Sequence, residues 1–314
     1  MKKYIVKRIL QLLPILLGIT FLSFAMMRLA GSDAVTEMYS NTGSAVSEEV
    51  LDAAREELGL NRPFLVQYFS WLGEMMRGNM GVSYISGRDV FATFVSKLPA
   101  TLLLTVLSVL LTIVISVPLG ILAAVKQGRL ADQVLRFLSF IGNAMPNFFV
   151  ALLLMQLLSM KLGWLPVISD GTTIRSAIMP MLTLAIAMSA KYMRQVRTAV
   201  LEELNKEYVN GAMARGVSER VILWKSVMRS ALLTIVTLLA LSIGSLLGGT
   251  AIVESIFMWD GVGKLAVDAI QMRDYPLIQA YVVWMAIIYV VVNLITDLLY
   301  RVLDPKIRLG AEKE

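Results

Sequence analysis

Glu207-Tyr208-Val209-Asn210-Gly211-Ala212-Met213-Ala214-Arg215-Gly216 is a charged, polar stretch set between long apolar runs. That contrast decides the fold, because a loop this polar in a chain this apolar belongs at a membrane surface. Residues from Glu202 to Ala214 favour helix, and Gly216 can break it with a positive φ. Ser218 can then cap a second short helix through Glu219 and Arg220 toward Trp224. The predicted product is a helix-turn-helix knuckle projecting from the membrane.

Working outward, the chain is 57% hydrophobic and only 17% charged over 314 residues, with a mean hydropathy of +0.71. A soluble core could not hide that much apolar surface. Six runs contain no Asp, Glu, Lys or Arg: Ile9–Met27, Leu98–Val125, Phe137–Met160, Ser176–Ala190, Ser230–Val253 and Tyr275–Thr296. Their lengths are 19, 28, 24, 15, 24 and 22 residues, and a helix needs roughly 20 residues to cross about 30 Å of hydrocarbon. The fourth run is short, but it spans if Lys191 and Arg194 snorkel their charges to the interface. The sequence therefore predicts an all-α integral membrane protein with six transmembrane helices.

Lys2, Lys3, Lys7 and Arg8 precede the first run and place the N-terminus in the cytoplasm. The run is longer than a signal-peptide core and no small-x-small cleavage site follows closely, so it reads as a retained helix. Six spans return the C-terminus to the cytoplasm. Loop charges agree: the segment 30–97, predicted outside, holds nine acidic and five basic residues, whereas 191–229, predicted inside, holds eight basic and four acidic ones. The net charge of +6 is thus a topology signal and requires no nucleic acid partner.

Zero cysteine and zero histidine exclude disulfides, thiol nucleophiles, Ser-His or Cys-His pairs and Cys/His metal sites. Gly261-Val262-Gly263-Lys264-Leu265 is no phosphate-binding loop, since Met258 stands where the first glycine is required and Leu265 replaces Ser/Thr. The nineteen methionines are scattered and read as adaptable packing rather than a soft-metal ladder. No catalytic, cofactor or metal residue is expected, and any ATP hydrolysis must happen on another chain.

Several local features add detail. Within 30–97, Ser47 with Glu48 and Glu49 begins a helix that runs to Leu58 and stops at Gly59. A second helix runs from Pro63 to Gly78 with Phe64, Tyr68, Leu72, Met75 and Met76 near one face. Lys126-Gln127-Gly128-Arg129-Leu130-Ala131-Asp132 reads as a basic turn on the cytoplasmic side. In Asn143-Ala144-Met145-Pro146-Asn147 the proline either kinks the third span or displaces its start past Pro146, and Asn143, Met145 and Asn147 are candidates for a water-filled path. Gly244, Gly248 and Gly249 offer a small-residue face to a neighbouring helix.

The Glu-x4-Ala-x3-Gly spacing of Glu207, Ala212 and Gly216 resembles the "EAA" loop by which membrane subunits of bacterial ABC importers engage their ATPases. Further segments resemble the dipeptide, oligopeptide and nickel permease group of that family: Tyr4–Leu10, Leu58-Gly59-Leu60-Asn61-Arg62-Pro63, Val66-Gln67-Tyr68, Leu98-Pro99-Ala100-Thr101-Leu102, Pro118-Leu119-Gly120, Val253–Phe257, Gly261–Gly263 and Arg273-Asp274-Tyr275-Pro276. The resemblance implies a type I importer subunit in a bacterial inner membrane, with Glu207, Tyr208, Ala212, Arg215 and Gly216 in the ATPase-coupling loop. Implied partners are a second homologous permease in a heterodimer, two cytoplasmic ATPases and an extracytoplasmic solute-binding protein. Thr234, Ser226 and Asp260 depart from the usual proline, histidine and Pro-Gly step. Gly31–Tyr39 lacks the Gly-Asp-Pro of peptide permeases and leans toward nickel-type members, with any nickel crossing as a chelate because imidazole and thiolate are lacking.

The expected division is residues 1–29 as the first span, 30–97 as a small helical extracytoplasmic segment, 98–303 as a five-helix core carrying the coupling loop 200–229, and 304–314 as a cytoplasmic tail. A secondary transporter would be expected to carry ionisable residues within its spans, and the six runs hold none; a non-transporting scaffold leaves the loop unexplained. Because the chain has no cysteine, the topology is testable with single thiols. A Ser44→Cys variant is expected to react with an impermeant thiol reagent in intact spheroplasts, and reaction only after membrane disruption would overturn the topology.

Overall fold

The computed structural model describes residues 2–29, 35, 36, 39, 47–57, 59–169, 171 and 173–303. The predicted tail 304–314 and most of the stretch 30–46, with Ser44, lie outside the described residues. The described residues form helices α1 (Lys2–Leu29), α2 (Glu48–Glu57), α3 (Phe64–Met76), α4 (Val90–Val125), α5 (Leu130–Ala144), α6 (Asn147–Leu154), α7 (Ile174–Leu204), α8 (Glu207–Ala214), α9 (Glu219–Ile222), α10 (Met228–Phe257), α11 (Val262–Gln271) and α12 (Tyr275–Leu303). Short π-helical turns come after α6 at Met155–Lys161 and after α9 at Leu223–Val227. Among the described residues the extended pairing is one isolated antiparallel bridge between Val82 and Asp89.

Three helical stretches, Val90–Val125, Ile174–Leu204 and Tyr275–Thr296, are long and apolar enough to cross a membrane, and Leu13–Leu29 is a shorter apolar helix. The run predicted as one third span is instead a broken pair, Leu130–Ala144 and Asn147–Lys161, bent by 103°. The cause is Pro146. The residue before a proline is pushed out of the helical region, and Met145 is extended at φ −82, ψ 127. Pro146 then caps α6, so a helix does start past the proline, with another ending just before it. The short fourth run is extended by α7, a helix of 31 residues started by Thr173, whose Oγ1 accepts from the Ser176 backbone N–H at 3.2 Å.

The chain divides into two compact units, Met1–Ala100 with Asp260–Val290, and Thr101–Trp259 with Val291–Glu314. In the first, the predicted helices of 30–97 are present. The α2 helix is stopped by Gly59 at φ +66, with Leu60 N–H bonded to the Arg55 carbonyl at 2.8 Å, and α3 by Gly78 at φ +85. The aromatic face of α3 packs on α1. Tyr68 Oη meets Thr20 Oγ1 at 2.9 Å, and Phe21 stands edge-on to Phe64 and Tyr68 with ring centroids 5.7 and 5.3 Å apart. Met76, predicted on the same stripe, is exposed. Elsewhere in this unit Val90 packs with Ala269, Leu277 and Ala280. Ser83 Oγ and Tyr84 N–H both donate to the buried Asp274 carboxylate, and Asp260, a departure from the family pattern, pairs with Lys97.

The second unit is organised on α7. Its apolar window is 56% buried, against 17% for that of α12, which makes α7 the interior helix. Two glycines let neighbours touch its backbone closely. A Cβ on Gly120 of α4 would lie 2.7 Å from the Val196 side chain and 2.8 Å from the Met193 carbonyl, and one on Gly142 of α5 would lie 2.8 Å from Ala190 Cβ. Such contacts are the means by which membrane helices gain packing energy. Along α4, Thr105, Ser108 and Thr112 are buried and satisfied by the carbonyls one turn back, as hydroxyls in an apolar setting must be. Gly244 of α10 is buried, while the surroundings of Gly248 and Gly249 lie outside the described residues.

The start of α5 is fixed to α7 by a bidentate ion pair. Arg197 Nε and Nη2 donate to the two oxygens of Asp132 at 2.7 and 2.8 Å, and Asp132 Oδ2 also accepts from the Gly128 N–H at 3.0 Å. Asp132 is fully buried and the Arg197 side chain retains 18% exposure. Removing one partner of such a pair strands a buried charge, at about 3–5 kcal/mol, whereas replacing both by apolar residues can be neutral. Asp132→Ala is therefore expected to lower the thermal unfolding midpoint of the detergent-solubilised protein sharply, and Asp132→Leu with Arg197→Met to recover most of that loss. Equal midpoints for the single variant and the parent would show that the pair contributes nothing.

Candidate functional site

The predicted knuckle is present between α7 and α10. After Leu204 the chain turns at Asn205 and Lys206, so the first helix expected over 202–214 is split, with α8 starting at Glu207. The split is held by charge. Lys206 Nζ pairs with Glu203 at 2.5 Å, and Tyr208 Oη donates to the other Glu203 oxygen at 3.0 Å. Partial burial and then the Glu203 carboxylate raise the Tyr208 hydroxyl above the usual phenol range.

Gly216 stops α8 as expected, with φ +78. The Val217 N–H reaches the Ala212 carbonyl at 3.1 Å and the Gly216 N–H the Met213 carbonyl at 2.9 Å, a left-handed C-terminal motif that suits glycine. A Cβ at Gly216 would meet nothing within 4 Å, so its requirement is backbone conformation alone. Ser218 begins α9 through its carbonyl, which accepts from Val221 and Ile222, and makes no side-chain cap bond.

Of the predicted coupling residues, Glu207, Tyr208, Arg215 and Gly216 are exposed, while Ala212 packs inward. Sequence reasoning missed the anchor. Val209 is fully buried with Val200, Ile222 and Val227 in one core that also holds Tyr192, Val196, Ala231 and Ile235; its signal was an apolar residue inside an otherwise polar stretch. It also missed an apolar contribution to the exposed side, where Met213, Val217, Val221 and Trp224 are 44, 37, 42 and 63% exposed. Beside them stand the exposed cations Arg215, Arg220 and Lys225. An exposed set of apolar residues bordered by charge has the composition of a protein contact. The other candidates, Asn143, Met145 and Asn147, lie together at the 103° break, with Asn143 exposed and the other two partly buried. No hydrogen bond from either asparagine side chain is found among the described residues. Gln67 and Gln195, which sequence reasoning did not single out, each carry a buried side-chain oxygen without a partner.

Known proteins agree with this architecture. The family described as binding-protein-dependent transport system inner membrane component matches residues 116–309, and its N-terminal companion matches 1–105. The chain belongs to that family of permease subunits, and it is not an enzyme. Among its relatives, the oligopeptide transport system permease protein AppB of Bacillus subtilis (strain 168) is 41% identical over 317 residues, covering 98% of this chain and 99% of the relative. The glutathione transport system permease protein GsiC of Salmonella choleraesuis (strain SC-B67) is 35% identical, with the same coverage of 98 and 99%. A chain of the inward-facing MetNI methionine ABC transporter superposes with a TM-score of 0.56 at 18% identity, over 67% of this chain and 96% of that one. At that identity the likeness shows a shared fold.

The anchored knuckle predicts how its own stability responds to substitution. Val209→Ala removes two methyls from a fully buried site and is expected to cost about 1–3 kcal/mol. Limited proteolysis of the solubilised protein is expected to cut within 205–218 faster in this variant, and unchanged cleavage would show that Val209 does not hold the knuckle down.

Proposed function

We propose that the chain is one half of a permease pair that imports short peptides into a bacterial cell, driven by ATP hydrolysis on separate subunits. In this reading it forms a heterodimer with a second homologous permease, sits in the cytoplasmic membrane with six spans and both termini inside, and receives substrate from an extracytoplasmic solute-binding protein. The observation that carries the reading is the exposed knuckle of α8 and α9, set on a buried apolar anchor. A cleft of one ATPase subunit would seat it, so that closure of that cleft displaces α7 and α10. Residues 191–229 are then cytoplasmic and 30–97 extracytoplasmic, supported by the loop charges. Asn143, Met145 and Asn147, at the helix break, are proposed to border the path.

The relatives named for oligopeptide and glutathione transport support a peptide over a nickel chelate, against the leaning read from Gly31–Tyr39. In proteoliposomes holding the assembled importer, di- and tripeptides are expected to compete for uptake. Nickel-dependent uptake untouched by peptides would reverse the assignment.

The loop itself is tested by Gly216→Val and Glu207→Lys. Valine at φ +78 is strained by roughly 1–3 kcal/mol, and lysine reverses a charge at the exposed start of α8. Both variants are expected to reach the membrane at near-normal abundance while losing substrate-stimulated ATP hydrolysis and uptake together. Normal transport in both would reduce the knuckle to a solvated connection.

A further inference from the structure

The first unit holds a half-open cavity of about 750 Å³ that the coupling loop and the helix break do not use. It lies between the end of α1, the turn joining α2 to α3, the 79–84 loop and the start of α12. Its size falls in the range of about 300–1,000 Å³ typical of small-molecule sites. Three arginines, Arg28, Arg55 and Arg62, line it against one carboxylate, Glu74.

The charges within it are not balanced. Glu74 is already occupied, accepting from Arg77 at 3.0 Å and from the Asn79 amide at 3.1 Å. Arg55 is engaged by Asp52 at 2.5 Å. Arg28 and Arg62 have no ion-pair partner among the described residues, and a pair of guanidiniums facing one cavity favours a carboxylate or phosphate. The turn that carries Arg62 is preorganised. Gln67 Nε2 donates to the Leu60 and Arg62 carbonyls at 2.9 and 2.6 Å, holding the 60–63 backbone against α3. Trp71 and Tyr84 add aromatic wall, and burial raises the Tyr84 hydroxyl above the usual phenol range, a rise that the charge of Arg28 partly offsets.

We infer that this cavity is a binding site for the carboxylate end of a short peptide, held by Arg28 and Arg62. The inference rests on the proposed peptide import and on the extracytoplasmic placement of 30–97. It adds a peptide site on the permease itself, distinct from the helix break at Met145–Pro146. The apolar and aromatic wall suits side chains, and the open guanidiniums suit the terminal carboxylate. A phospholipid headgroup would present a phosphate to the same two groups, so the test separates the two sources.

The assembled importer, without its solute-binding protein, is placed in phosphatidylcholine nanodiscs and titrated with tri-alanine, tri-alanine amide and glutathione, with tryptophan fluorescence as readout. The free-acid peptides are expected to change the fluorescence saturably, Trp71→Phe to remove that change, and the amide to bind more weakly. Arg62→Gln and Arg28→Gln are each expected to weaken binding by roughly ten- to a hundredfold, the loss of one charge-assisted hydrogen bond. Unfolding midpoints equal to the parent's confirm that the variants fold. Equal affinity for acid and amide, unchanged affinity in both arginine variants, or no binding of either free acid overturns the inference. So does a fluorescence change produced by phosphatidylglycerol and by no peptide, which would make the cavity a headgroup site. Peptide uptake by the complete importer is measured alongside: uptake without receptor-free binding removes this site alone, whereas absent uptake removes the peptide reading of the whole protein.

Discussion

The bidentate contact between Asp132 and Arg197 is the interaction on which the second unit turns. A carboxylate without any solvent exposure survives only if its oxygens are occupied, and here two guanidinium nitrogens and the Gly128 N–H occupy them. The contact ties the first turn of α5 to a point seven residues before the end of α7. With that end fixed, Ser139 can donate to the Ala190 carbonyl and Gly142 can lie against Ala190 further along the same pair of helices. The knuckle beyond Leu204 therefore leaves the bundle from a defined place.

Helix ends in this chain are made by one repeated device. Gly59, Gly78 and Gly216 take a left-handed conformation after α2, α3 and α8, and each lets the next residue bond a carbonyl five back. Met258 and Arg273 do the same without being glycine, both at φ 54. A side chain at that φ costs about 1–3 kcal/mol, and the neighbouring residues account for its persistence: Trp259 and Asp274, next in the chain, are both buried. Burial of the residue after the turn enforces the turn itself.

Much of this was legible in the sequence because it is local or periodic. Gly216 announced a positive φ, Ser47 and Gly59 bracketed α2, and three of the six charge-free runs fall on helices long and apolar enough to cross a membrane. The features that escaped were non-local. Asp132 and Arg197 are 65 positions apart, and nothing in either neighbourhood marks them as partners; Asp132 read as part of a basic turn. Pro146 was legible as a disturbance, but a 103° bend rather than a kink depends on Met145 adopting an extended backbone. Val209 was hidden because its one inward repeat, to Ala212, is too short to show a helical period. The cavity lined by Arg28 and Arg62 draws on four separated segments and could not be assembled from any one of them.

The core shared by Val209, Ile222 and Val227 with α7 and α10 has a mechanical consequence. A loop joined to its helices only through backbone would absorb an applied force by bending, like a slack tether. This one is bolted at three buried points, so a push on α8 is delivered to α7 and α10 with little lost in the joint. Compliance has to reside elsewhere, where the backbone ladder is interrupted, as it is at Met145–Pro146, where the hydrogen bonds stop at Ile141 and resume at Pro146.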